Sequence, residues 1–199
     1  MLNRRPQHGA TLIEILVSIL VISFGILAMA AVQSNSVKFQ KTSEYRATAT
    51  MLAADIADRM RANKQGAIAS SNNATSGYSA QNVATYTPIA ANTVGTAANC
   101  GTLSSGVLSP CTAGQIATND LVEWRQRLRL SLPGAGAHIA PYDASRQAID
   151  LWIAWLDPRE ADSSNAANSI APNSAECPPA AIWTAGTNRP HCLYLRVAL

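Results

Sequence analysis

Four cysteines, three histidines and one acid set into an apolar run are the residues with chemistry to offer in this chain of 199. Cys100, Cys111, Cys177 and Cys192 form an even set, and no two have the C-x-x-C spacing of a redox motif or zinc site. Beside an export-type segment, such a set reads as disulfides in an oxidising compartment. Three connectivities are open. Cys100–Cys111 with Cys177–Cys192 is favoured because both close short loops in chain order, and a loop of about 15 residues is worth about 3 kcal/mol. His191 adjoins Cys192 as a metal-ligand pair would, but His8 and His138 form no cluster with it. Asp157, Glu160 and Asp162 could meet a cation, yet they lack the glycine and terminal glutamate of a calcium loop and read as a solvated turn. There is no G-x-S-x-G, glycine-rich phosphate loop or H-E-x-x-H. No enzyme, cofactor or metal is expected.

Charged residues make up 14%, where about 25% is typical of a soluble domain, and the net charge is +3. No dense basic stripe occurs beyond the first residues, so a nucleic-acid partner is not expected. The apolar excess is concentrated between Ala10 and Val32, where the only charge is Glu14. About 20 such residues, at a rise of about 1.5 Å each, cross a hydrocarbon core of about 30 Å. Arg4, Arg5 and the amino terminus precede them, which predicts an amino end inside and the rest outside. A cleaved secretory signal could use Ala28-Met29-Ala30, but the apolar run is long for one and carries a charge. A plain single-pass anchor explains the length and gives no reason for Glu14. An acid in apolar surroundings costs a few kcal/mol and implies a function or a partner.

The stretch from Gly9 and Ala10 through Thr11, Leu12 and Ile13 to Glu14 resembles the type IV prepilin motif. The resemblance implies that a prepilin peptidase cuts between Gly9 and Ala10 on the cytoplasmic side, methylates the new amino terminus at Ala10, and leaves the apolar helix in the product. Glu14 then becomes the fifth residue, and its carboxylate pairs with the free amine of a neighbouring subunit during assembly. A buried charge is tolerable when so paired. Ala10 stands where phenylalanine is usual in the family.

These residues need a long element to carry them. No proline occurs between Ala10 and Arg61, and beyond Gln33 the pattern becomes one-sided, with Tyr45, Ala49, Leu52, Ile56 and Met60 at helical spacing. A helix from about 10 to 63 would be about 80 Å long. Arg59, Arg61 and Lys64 suit its carboxyl end, and Gly66 is the expected stop. Gly25 weakens the apolar half by about 0.5–1 kcal/mol relative to alanine. From 66 to about 117 the chain reads as irregular, with short strands suggested at Tyr78, Val83 and Tyr86. A second helix is predicted over Asp120–Leu132, with Asp120 and Glu123 as a capping box and Pro133-Gly134 as the end. Arg125, Arg127 and Arg129 are spaced by two and read as solvated. Strands are predicted at Ala137–Tyr142, at Ile149–Leu156 and at Leu193–Leu199, the last two by their two-residue alternation. The fold class is α+β and type IV pilin-like: a long amino-terminal helix packed against a small antiparallel sheet with a second helix. The organisation is a leader over 1–9, a transmembrane or filament-core half-helix over 10–32, an amphipathic half over 33–63 and a periplasmic head over 64–199.

Further segments resemble the PilV family of type IV minor pilins. They are Leu52–Asn63 at the helix end, Cys111 followed by Asp120–Trp124 and Leu132-Pro133-Gly134, and the ending, with its Ile/Leu/Trp strand, its cysteine-bounded loop and Cys192–Leu195. That resemblance implies a minor pilin joining other minor pilins and the major pilin. It would engage the prepilin peptidase and the inner-membrane assembly platform, prime pilus assembly and finish near the pilus tip, supporting twitching motility and adhesion. The expected location is the inner membrane with a periplasmic head, then the pilus on the cell surface. A type II secretion pseudopilin shares the leader and Glu14, but the closest such family has a much shorter head. A major pilin would form the shaft.

Overall fold

The computed structural model describes residues 11–69, 77–79, 88–101, 103–104, 107–156, 176–178 and 190–199. The first helix, α1, runs over Leu12–Ala62. Two compact units divide the chain, one ending at Lys41 and the other spanning Thr42–Leu199. Within the first unit α1 has no buried side chain from Leu12 to Val37. Within the second, Ala49, Ala53, Ile56, Ala57 and Met60 are buried at spacings of three and four, while Tyr45 and Leu52 are half-buried beside them.

Gly66 does not stop this helix. The break comes three residues earlier, at Asn63, and a short helix α2 follows over Lys64–Ala69 with Gly66 buried inside it. Asparagine side chains compete with the backbone for hydrogen bonds. Asn63 Oδ1 accepts from the Gly66 N–H at 3.2 Å, and its Nδ2 donates to the Ala113 carbonyl at 2.8 Å. Gly66 is needed there for space: a Cβ would lie 2.5 Å from Asn63 Nδ2 and 2.7 Å from the Ala113 carbonyl oxygen.

Two 3-10 turns, Gly77–Ser79 and Ala91–Thr93, and a hairpin of β1 (Leu103–Ser104) with β2 (Val107–Leu108) come next. Tyr78 is in the first turn and buried, not on a strand, whereas Val83 and Tyr86 lie outside the described residues. The hairpin is closed at its base by the Cys100–Cys111 disulfide, with Gly101 N–H donating to the Ser109 carbonyl at 2.8 Å.

Helix α3 spans Ala113–Ser131 and starts seven residues before the predicted Asp120. Its capping box is Thr112 with Gln115: Thr112 Oγ1 accepts from Gln115 N–H at 3.3 Å, and Gln115 Oε1 accepts from Thr112 N–H at 2.9 Å. Asp120 and Glu123 are inside the helix, where their carboxylates meet Arg59 instead. The predicted core face holds, with Leu121, Trp124 and Leu128 buried and Leu132 as the C-cap.

The head's sheet is antiparallel in the order β3 (Gly136–Ile139), β4 (Ala148–Trp155), β5 (His191–Ala198). β3 is shorter than predicted because the chain turns at Asp143, whose Oδ1 accepts from the Ser145 and Arg146 N–H groups at 2.9 and 3.3 Å. Ile149, Leu151, Ile153 and Val197 join the core with Ile56, Met60 and Trp124. Trp124 fixes the helix pair as well as filling it, since its Nε1–H donates to the Leu52 carbonyl at 2.7 Å. The opposite face of β4 is not solvated as simple alternation implies. Trp152 and Ala154 are buried, and Ala154 forms a second cluster with Cys192, Leu156 and Cys177. A Gly66→Ala variant is expected to lose about 1–3 kcal/mol by overpacking against a backbone carbonyl, read as a lower midpoint in urea unfolding with an unchanged slope.

Candidate functional site

The chemistry singled out in the sequence lies at the amino end. Gly9 and Ala10 are outside the described residues, as are His8, Asp157, Glu160 and Asp162. Glu14 is in the first turn of α1, where Glu14 and Ile15 N–H donate to the Thr11 carbonyl at 3.1 and 3.3 Å. An acid in that turn complements the positive end of the helix dipole. Below it, Ser18 and Ser23 turn their hydroxyls back onto the Glu14 and Ile19 carbonyls, both at 2.7 Å. Both serines thereby satisfy their hydroxyls within the helix and leave the segment compatible with an apolar surrounding.

The large apolar side chains from Leu12 to Val32 are 51% to 77% exposed. Burying one such side chain is worth about 1.5–3 kcal/mol. A run of them bare on every side of a helix needs lipid or other helices around it. Of the described helices, α1 is long and apolar enough to cross a membrane. Glu14 is the one charged group on that surface, positioned at its edge.

The second unit is held by a cluster that sequence reading assigned otherwise. Arg59, expected to serve the helix end, bonds Asp55 within α1 at 3.2 Å and reaches α3 at Asp120 (3.1 Å) and Glu123 (2.8 Å). Arg127 of α3 pairs with Glu123 on its own helix and crosses to Asp55 of α1. Tyr78 donates to Asp120 Oδ2 at 2.5 Å, so the 3-10 turn is pinned to the same group. The hydrogen bond from Arg59 holds the Glu123 carboxyl below its ordinary range, and burial, with Asp120 beside it, pushes the Tyr78 hydroxyl well above its own. Arg125 is buried rather than solvated, with Nη2 donating to the Thr93 carbonyl at 3.0 Å, and burial lowers its pKa. No sequence spacing signals contacts made between residues 59 and 123.

On the outer face of the sheet, Asp150 on β4 accepts from Tyr194 Oη at 2.7 Å and Arg196 Nε at 2.8 Å on β5. Burial pushes the Asp150 carboxyl up, but Arg196 and Tyr194 outweigh it and hold it below the usual value. The ring of Trp152 lies between those of His138 and Tyr194, at 5.9 and 5.3 Å. Cys177 is bonded to Cys192, and next to it Glu176 meets Arg46 of α1 at 2.8 Å. His191 begins β5 and stacks on Trp155. Among the described residues no group of His, Cys, Asp or Glu could hold a metal ion.

The prokaryotic N-terminal methylation motif matches residues 4–30, a span containing Gly9, Ala10 and Glu14. No curated protein and no solved structure matches the chain. The motif implies processing by a prepilin peptidase and membrane-associated pilus assembly, and it points to a structural protein rather than an enzyme.

Replacing Arg59 by methionine is expected to cost about 1–3 kcal/mol, because three carboxylates lose a charge-assisted partner. Urea unfolding measures it. The pH dependence has a fixed sign. Glu123 and Asp150 have folded pKa values below their unfolded ones, so their contribution is present above the ordinary carboxylate pKa of about 4. It is lost as pH falls through the depressed values, and unfolding midpoints measured between pH 6 and pH 2 should fall across that window. In its motif, its apolar helix and its α+β head, this chain is similar to the type IV pilins and pseudopilins.

Proposed function

We propose that the chain is a minor pilin of the PilV kind, made as a membrane-held precursor and consumed in pilus assembly. The observation that carries the reading is Glu14: a lone acid in the first turn of an apolar helix bare on all sides, within a prepilin-type motif. In this reading residues 1–9 are the leader and cleavage falls between Gly9 and Ala10. Ala10 is then the methylated amino terminus. The basic leader keeps that end in the cytoplasm, with the head in the periplasm.

Assembly moves α1 from lipid into a bundle of like helices. Both surroundings are apolar, so the transfer itself has little hydrophobic driving force. Glu14 supplies direction: its carboxylate pairs with the amine at a neighbouring subunit's Ala10. In a low dielectric such a pair is stable only with both partners present, which makes correct axial register the state without an unpaired charge. Residues Leu52–Asn63, Asp120–Trp124 and Cys192–Leu195 support the assignment to the minor class, in which the chain joins other minor pilins to prime the filament and remains near its tip.

Two variants test the two steps separately. Gly9→Leu is expected to leave an uncleaved precursor in the membrane fraction, about one leader peptide heavier on an immunoblot; normal processing refutes the leader. Glu14→Ala should be cleaved and inserted as usual, yet its recovery in sheared pili should fall at least about tenfold, the effect of about 1.4 kcal/mol. Undiminished recovery refutes the pairing. A dominant band of this chain in sheared pili would overturn the minor-pilin assignment.

A further inference from the structure

Beyond Glu14 the next charges along α1 are Lys38 and Lys41, both cations, and the anion Glu44 comes only after them. Val37, Lys38 and Lys41 stand three, four and seven positions after Ser34. That spacing puts a hydroxyl, an apolar side chain and two ammonium groups on one face of the helix. All four residues belong to the first unit. Ser34, Val37 and Lys41 are exposed, and Lys38 is half-buried. Ser18 and Ser23, within the apolar run, bond back to their own helix, whereas the Ser34 hydroxyl makes no such bond among the described residues.

Depth along the helix gives this face its solvent. A span that begins at Leu12 reaches about 30 Å at Val32, the thickness of a hydrocarbon core, and the headgroup layer beyond adds about 5–7 Å. Ser34 lies about 3 Å past Val32 along the axis, Lys38 about 9 Å and Lys41 about 14 Å. Helical side chains lean toward the amino end, so the two flexible lysine stems carry their charges back toward the bilayer, into the layer that holds Ser34. Glu44, farther along, stays clear of it. We propose that this face binds the phosphate of an anionic phospholipid in the leaflet at the carboxyl-terminal end of the span. Lys38 and Lys41 supply the cations, Ser34 donates from its hydroxyl, and Val37 packs beside the lipid. Charge complementarity selects this occupant, because two cations with no anion between them favour an anionic surface. Each ammonium has three donors, so a phosphate oxygen can join the contacts that both lysines already make within the chain. Removal of residues 1–9 would take Arg4 and Arg5 from the other side of the membrane and leave this pair as the helix's main electrostatic hold on it. The inference rests on the membrane-spanning part of the reading above and not on its minor-pilin part.

The test places a photo-crosslinking residue at Val37 of the full chain, in vesicles of equal parts phosphatidylglycerol and phosphatidylcholine. Mass spectrometry of the adducts is expected to show the anionic lipid in at least about threefold excess. Lys38→Gln with Lys41→Gln should bring the ratio to about one, while Lys38→Arg with Lys41→Arg should preserve the excess. Equal adducts of the two lipids with the lysines in place, or an excess that the glutamine variant leaves intact, overturn the proposal. So do adducts to protein with none to lipid. The same probe at Leu20, inside the apolar run, separates the two readings. Lipid adducts at Leu20 with no excess at Val37 overturn this site alone, whereas no lipid adduct at Leu20 overturns the membrane span as well. Should the glutamine variant fail to form its disulfides, salt decides the matter with the lysines in place. Between about 0.05 and 0.5 M sodium chloride the excess falls toward one if charge holds the lipid, and an unchanged excess overturns the proposal.

Discussion

From Leu12 to Val32 the large side chains of α1 are apolar and exposed, and water cannot be their working solvent. At about 1.5–3 kcal/mol for each buried side chain, the cost of leaving that surface wet would exceed the net stability of an ordinary domain, about 5–15 kcal/mol. The helix is therefore stable only when lipid or other helices cover it. This one constraint accounts for the serines bonded to their own helix at Ser18 and Ser23, and for the rarity of charge along the segment. Against it, Glu14 is the single group whose free energy depends strongly on what lies beside it.

Beyond Thr42 the same helix serves a different solvent and obeys a different rule. One face is buried and small, with Ala49, Ala53 and Ala57 allowing close approach and Ile56 and Met60 filling the core. The other face is polar and anchored. Arg59 joins α1 to α3 through carboxylates at Asp120 and Glu123, and Trp124 donates back to the backbone at Leu52. An arginine is suited to this task because its planar fork presents several donors to several carboxylates at once. The 20% exposure of its side chain keeps the ions partly solvated and limits the desolvation cost.

The sheet is fastened at its outer face. Asp150, Tyr194 and Arg196 tie β4 to β5, and the Cys177–Cys192 disulfide brings Glu176 within reach of Arg46 on α1. Cys100–Cys111 closes the small hairpin ahead of α3. Two short loops are thus closed covalently.

Much of this was legible in the residues themselves. Uninterrupted apolar residues beyond Ala10, an absence of proline and then a one-sided stripe define α1, because helical periodicity and membrane thickness are local, additive properties of a chain. Alternation likewise located β4 and β5. Where the reading failed, a distant partner had decided the outcome. Asp120 and Glu123 look like a cap in one dimension, yet Thr112 and Gln115 begin α3 and leave those acids to Arg59, some sixty positions away. Arg125 appears solvated by its spacing and is buried against Thr93. Gly66 appears to be a stop and is instead the one residue that fits between Asn63 and Ala113. Sequence alone determined the elements and the solvent each must meet, since these follow from composition and period. Tertiary structure alone decided which charges pair and where a missing side chain is required, since those depend on groups that meet only after the chain has folded.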